Sequence, residues 1–106
     1  MTSEHVVALS TAPSMEKAEE LARVLVGERL AACVNLLPGV RSIYTWKGEL
    51  CDEAEVLCVI KTRRDRVDAL RSRLPALHPY EVPELIVLEI ASGHTPYLEW
   101  IDASVR

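Results

Sequence analysis

Val40-Arg41-Ser42-Ile43-Tyr44-Thr45-Trp46, then Lys47-Gly48, then Glu49-Leu50-Cys51-Asp52-Glu53-Ala54-Glu55-Val56-Leu57-Cys58-Val59-Ile60 follow one another without interruption. The first segment is strand-like, Lys47-Gly48 suits a tight turn, and the third climbs back. Ala54, Val56, Cys58 and Ile60 fall on one face of the returning strand, and Glu55, Leu57 and Val59 on the other. Upstream, Leu30 to Leu37 is strand-like as well. The intervening Pro38-Gly39 marks a bend or bulge within one long strand rather than a domain boundary. A long β-hairpin therefore occupies the middle of the chain, and the rest must be arranged around it.

On the N-terminal side, His5 to Thr11 reads as a short strand stopped at Ala12-Pro13, because proline removes a backbone donor. Ser14 is a suitable helix N-cap. Ala18, Leu21, Ala22, Leu25 and Val26 then recur at helical spacing, with Glu16, Lys17, Glu19, Glu20 and Arg23 opposite them, up to Gly27. On the C-terminal side, Thr62 is expected to cap a second helix. Val67, Leu70 and Leu74 are its apolar stripe and Pro75 its end. A strand from Leu85 to Ile90 and an amphipathic segment from about Pro96 to Val105 complete the chain. The order β-α-β-β-α-β-α predicts an α+β fold of ferredoxin-like type, a βαββαβ sandwich with an additional C-terminal helix. Residues 1–106 form one domain. The first and last strands are apolar on both faces, so something must cover the second face, and self-association is the expected cover.

The 106 residues are 49% hydrophobic and 26% charged, with 4 Gly and 6 Pro, which suits one folded domain rather than a disordered chain. A net charge of −4 provides no overall drive toward nucleic acid or an anionic membrane. The sequence shows no targeting stretch and no apolar run long enough to span a bilayer, so a cytoplasmic location is expected. Cys33, Cys51 and Cys58 are odd in number and include no Cys-x-x-Cys pair, which argues against a disulfide framework or a structural zinc site. Cys33 and Cys58 sit in apolar strands and are expected in the core. Cys51, beside Asp52, is expected to be more exposed, and is the thiol to test for metal capture.

Chemistry concentrates in His78-Pro79-Tyr80-Glu81-Val82-Pro83-Glu84, where two prolines push His78 and Val82 toward extended geometry and hold the polar side chains out. His78 can act as a neutral ligand near pH 7, and Glu81 can add a carboxylate oxygen. Against this stands a purely structural role, with Tyr80 and Glu81 hydrogen-bonding across a subunit contact. His5 and His94 are expected to be solvated. Arg63, Arg64, Arg66, Arg71 and Arg73 form a local basic helix, but Asp65 and Asp68 dilute it and the sheet offers no aromatic platform for RNA. No nucleophile elbow or phosphate loop is present, so no enzymatic activity is expected.

Thr11-Ala12-Pro13, Leu30-Ala31-Ala32-Cys33-Val34-Asn35, Ser42 to Gly48, Lys61-Thr62, His78 to Glu84 and Tyr97-Leu98-Glu99-Trp100-Ile101 together resemble the CutA family of divalent-cation tolerance proteins, in order over about Val6 to Val105. The resemblance implies a homotrimer whose long hairpin strands pair between subunits, a cytoplasmic protein, and a link to copper and other divalent ions. Copper ligands in the family resemble a cysteine ending the first strand and two adjacent histidines opening the Pro-Tyr loop. The matching positions here are Ser10, Leu77 and His78, so two of the three lack a ligand suited to a soft metal. The leading expectation is a trimer binding Cu²⁺ or Zn²⁺ through His78, assisted by Glu81 or a water. The alternative is a regulatory or scaffold module without a metal role, holding a small anion or a partner protein in clefts between subunits. Ser10, Thr11, Lys61, Tyr80 and Glu84 are its candidate contacts.

Overall fold

The computed structural model describes residues 4–106. Chain order is β1 (His5–Ala12), α1 (Met15–Gly27), β2 (Cys33–Trp46), β3 (Glu49–Arg63), α2 (Val67–Leu77), β4 (Ile86–Glu89) and α3 (Thr95–Ser104), with a 3₁₀ turn at Arg64–Arg66 before α2. The four strands form one sheet in the order β2-β3-β1-β4, and every neighbouring pair is antiparallel. This is the ferredoxin-like α+β arrangement that the order of elements predicts.

Local chemistry explains most boundaries. Ser14 Oγ accepts the backbone N–H of Lys17 at 3.2 Å, which caps α1. The hairpin turns through Lys47 (φ 49°) and Gly48 (φ 80°) between the paired residues Trp46 and Glu49, the two-residue geometry whose twist matches the flanking strands. The β2–β3 register shifts between Leu37 and Val40, where Pro38 precedes Gly39 at φ 83°, so that dipeptide is a bulge inside one strand.

Two boundaries differ from the sequence reading. Thr62 does not cap α2; β3 runs on to Arg63, Thr62 pairs with Val6, and its buried hydroxyl donates to the Leu30 carbonyl at 2.8 Å. A β-branched hydroxyl residue suits either position, and the open ladder edge along β1 selects the strand. Pro75 does not end α2, which continues to Leu77, because a proline this close to the C-terminus forfeits one N–H bond without shortening the last turn.

Ala8, Ala12, Val56, Cys58 and Ile60 face Ala18, Leu21 and Leu25 of α1 and Leu70 and Leu74 of α2 in one buried cluster. Residues alternating with these point the other way. There Val7 and Leu9 pair with Leu88 and Ile86, and the last two are 52% and 50% exposed. The helix α3 covers only part of that second face. Its Ile101 and the C-cap residue Val105 pack with Ala32, and Asp102 bonds His5 Nε2 at 2.8 Å and the Arg63 guanidinium. His5 is thus half-buried and hydrogen-bonded to Asp102 rather than solvated, because the returning C-terminal helix reaches the start of β1.

Candidate functional site

His78 terminates α2 with an extended backbone (φ −89°, ψ 140°), as the following proline demands. Its ring then turns back over β1. Nε2 lies 2.7 Å from the Thr11 carbonyl oxygen, which can only accept, so Nε2 carries the proton. Nδ1 accepts the backbone N–H of Tyr80 at 3.2 Å. Both ring nitrogens are therefore engaged, and the imidazole fixes the loop against the strand.

The fixed loop aims Tyr80. Its ring lies 4.7 Å from that of His78, and its hydroxyl donates to Glu55 Oε2 at 2.7 Å. Burial first, and then the Glu55 carboxylate, push the Tyr80 phenol well above its ordinary range, so it remains a donor. Glu55 is only 8% exposed. Sequence reasoning passed over it, although an acid sharing a strand face with Leu57 and Val59 was the available signal.

Around this pair lies an open cleft of about 720 Å³. The hairpin contributes Ser42, Tyr44 and Trp46, which alternate onto one face of β2, and the proline loop contributes Glu81, Val82 and Glu84. At the mouth, Lys47 Nζ lies 3.5 Å from Glu81 and 5.7 Å from the Trp46 ring centroid. The Tyr44 phenol is also raised, by burial first and then by Cys51 and the acids Glu53 and Glu55.

Thr11, Tyr80, Glu81 and Glu84 thus meet in one cleft, and Ser10 and Lys61 do not join them. Ser10 alternates with Thr11 onto the core side, opposite Cys58. It is fully buried, and its hydroxyl has no hydrogen-bond partner among the described residues. Lys61 lies four residues along β3 from Leu57, the partner of Thr11, a distance of about 13 Å at strand spacing. Its ammonium bonds Asn35. Leu77 packs against the core, so neither it nor Ser10 approaches the cleft. Cys33 is half-buried rather than fully in the core, and Cys51 is half-buried opposite Tyr44.

A metal ion would find a poor donor set here. Among the described residues no group of three or more His, Cys, Asp and Glu side chains converges as a metal site, the His78 nitrogens are both occupied, and Glu81 faces Lys47. The arginines are likewise engaged: Arg63 with Asp102, Arg64 with Glu89, Arg66 with the Val105 carbonyl, Arg71 with Asp68, and Arg73 with Glu28. The basic stretch is a set of intramolecular ion pairs with one arginine–carbonyl hydrogen bond among them.

The profile of the CutA1 divalent ion tolerance proteins matches residues 6–104. The chain belongs to this family. The "Divalent-cation tolerance protein CutA" of Thermus thermophilus is 50% identical over 95 residues, which cover 90% of this chain and 92% of that protein. The "Protein CutA 1, chloroplastic" of rice is 45% identical over 101 residues, and the chain spans 57% of that relative's length. Among solved structures, CutA from Xylella fastidiosa superposes with a TM-score of 0.95 at 43% identity, covering 98% of this chain and 100% of that one. The CutA1 fold expected from the sequence motifs is therefore present, and the general role of the family is divalent-cation tolerance. No helix among the described residues is long and apolar enough to cross a membrane.

Proposed function

We propose that this CutA1-family protein acts in divalent-cation tolerance as a non-catalytic homotrimer in the cytoplasm, with the cleft between hairpin and proline loop as its ligand site. The observation that carries this reading is the pairing of an apolar surface left open with a polar cleft already built. Ile43, Leu50 and Val82 are 66%, 75% and 66% exposed, Ile86 and Leu88 about half exposed, while Tyr80, Glu55 and His78 are locked in a continuous hydrogen-bonded chain. Apolar surface of this extent around a site favours closure by further copies of the chain. Native mass spectrometry at micromolar concentration tests the assembly: a trimer is expected, and a stable monomer contradicts it.

The family's name points to a divalent cation, and within that class the proposed ion is Cu²⁺ or Zn²⁺, with His78 and Glu81 as the ligands. For His78 to serve, Nδ1 must release the Tyr80 N–H or Nε2 must leave the Thr11 carbonyl, and further donors must come from a second copy. Calorimetric titration of tag-free protein with Cu²⁺ and Zn²⁺, alongside His78→Ala, tests this. A wild-type isotherm lost in the variant is expected, and identical weak isotherms remove His78 from the site. The alternative expectation of a small anion in the cleft fares worse, since its lining carries three carboxylates and no Lys, Arg or His.

A further inference from the structure

We propose that the Glu55–Tyr80 cleft binds an organic cation, an alkylammonium or guanidinium group held by the Glu55 carboxylate and the rings of Tyr44 and Trp46, in the negative field of Glu81 and Glu84. The inference rests on reading the cleft as the ligand site and names the chemistry of what enters it.

Glu55 carries most of the argument. Although it is 8% exposed, it receives a single hydrogen bond, from Tyr80 to Oε2; Oε1 accepts none among the described residues. A carboxylate offers about four acceptor positions, and a neutral phenol satisfies one without cancelling the charge. Oε1 is not sealed from solvent, and a cation that enters the cleft with its own donors can take the place of water on it. Glu81 and Glu84 line the same cleft and add to its negative field.

Ring faces and size then separate an organic cation from an inorganic one. Trp46 and Tyr44 are 41% and 43% exposed and line the cleft, which suits a cation with a diffuse charge or an alkyl stem. About 720 Å³ is also room for a small molecule or a long side chain rather than a bare ion, and the described residues hold no converging three-ligand set. The chain displays the recognition on itself: the Lys47 ammonium sits between the Trp46 ring and the Glu81 carboxylate at the mouth. The cation has two sources, a free amine or a Lys or Arg side chain of a second copy.

The test uses the full-length protein in calorimetric titrations with spermidine and with arginine methyl ester, against KCl at matched ionic strength and glutarate as the anionic control. Glu55→Gln keeps an acceptor for Tyr80 and removes the charge, and Trp46→Leu removes the ring. Each variant is first shown to be folded by its thermal transition. Saturable binding of the amines, absent for glutarate and weakened about tenfold in Glu55→Gln and several-fold in Trp46→Leu, supports a free ligand. If no amine binds, but folded Glu55→Gln loses the association of the wild type, the cation belongs to a second copy. Amine binding unchanged in both variants overturns the proposal, as does absence of binding together with unchanged association. A wild-type trimer that binds metal but fails these tests refutes this inference alone, and a monomer that binds amines refutes the trimer alone.

Discussion

Along its 15 residues β3 passes through two environments. From Val56 to Thr62, alternate residues are buried against α1 and α2, and the ladder to β1 is continuous. From Glu49 to Ala54 the strand has only β2 beside it, and Leu50 at its start is 75% exposed. The same strand geometry is thus completed by the chain's own helices in one half and left open in the other. Glu55 stands at the junction, where Tyr80 arrives to meet it. The fold is finished at one end of the sheet and leaves apolar surface open at the other, and the candidate site lies where the two regimes meet.

The largest effect that separates the halves is truncation. Leu25→Ala or Leu70→Ala, both at fully buried positions, is expected to cost about 2–5 kcal/mol in urea unfolding. Leu50→Ala in the open half should change the stability of an isolated chain by less than about 0.5 kcal/mol while weakening association. Equal costs at the two positions would erase the distinction. At the junction, Tyr80→Phe removes the donor to a buried carboxylate and should cost about 1–3 kcal/mol, read as a lowered urea midpoint at unchanged slope.

A smaller effect concerns α3, which ties the second face to β1. Burial pushes the Asp102 carboxyl up, but hydrogen bonds from Arg63 and His5 more than reverse this and hold it below its ordinary value of 3.8. A depressed folded-state pKa means that the unfolded chain binds the proton more readily. Its stabilisation is thus complete above that ordinary value and fades as pH falls through the lower folded one. Acid titration of the unfolding free energy should show this loss, and Asp102→Asn should abolish that component. The smallest effect is expected at Ser10. Its hydroxyl is buried without a partner, so Ser10→Ala should be neutral or slightly stabilising, within about 0.5 kcal/mol by thermal unfolding.

The closed half was the more legible in the sequence. Ser14 as a cap, the helical spacing of Leu21 and Leu25, and the alternation Val56-Cys58-Ile60 each encode their structure locally, and each is seen. The Lys47-Gly48 turn and the Pro38-Gly39 bulge were readable for the same reason, since both depend on backbone preferences of two residues. What escaped was decided over long separations. Thr62 is a strand residue because Val6 and Leu30 are there to pair with it. His5 is half-buried and hydrogen-bonded because Asp102 returns 97 residues later. Ser10 and Thr11 were read as neighbours in one site, yet strand alternation sends them to opposite faces. The loop of His78 to Glu84 was recognisable as the place of polar chemistry, but its main partner, Glu55, was hidden within the hairpin.

In the proposed trimer, the open half of the hairpin is completed by further copies of the chain. Native mass spectrometry of the wild type and of Ile43→Glu/Leu50→Glu at micromolar concentration, with circular dichroism to confirm that both are folded, tests it most directly. A wild-type trimer and a folded monomeric variant are predicted; a wild-type monomer, or a variant that assembles as the wild type does, would contradict the claim.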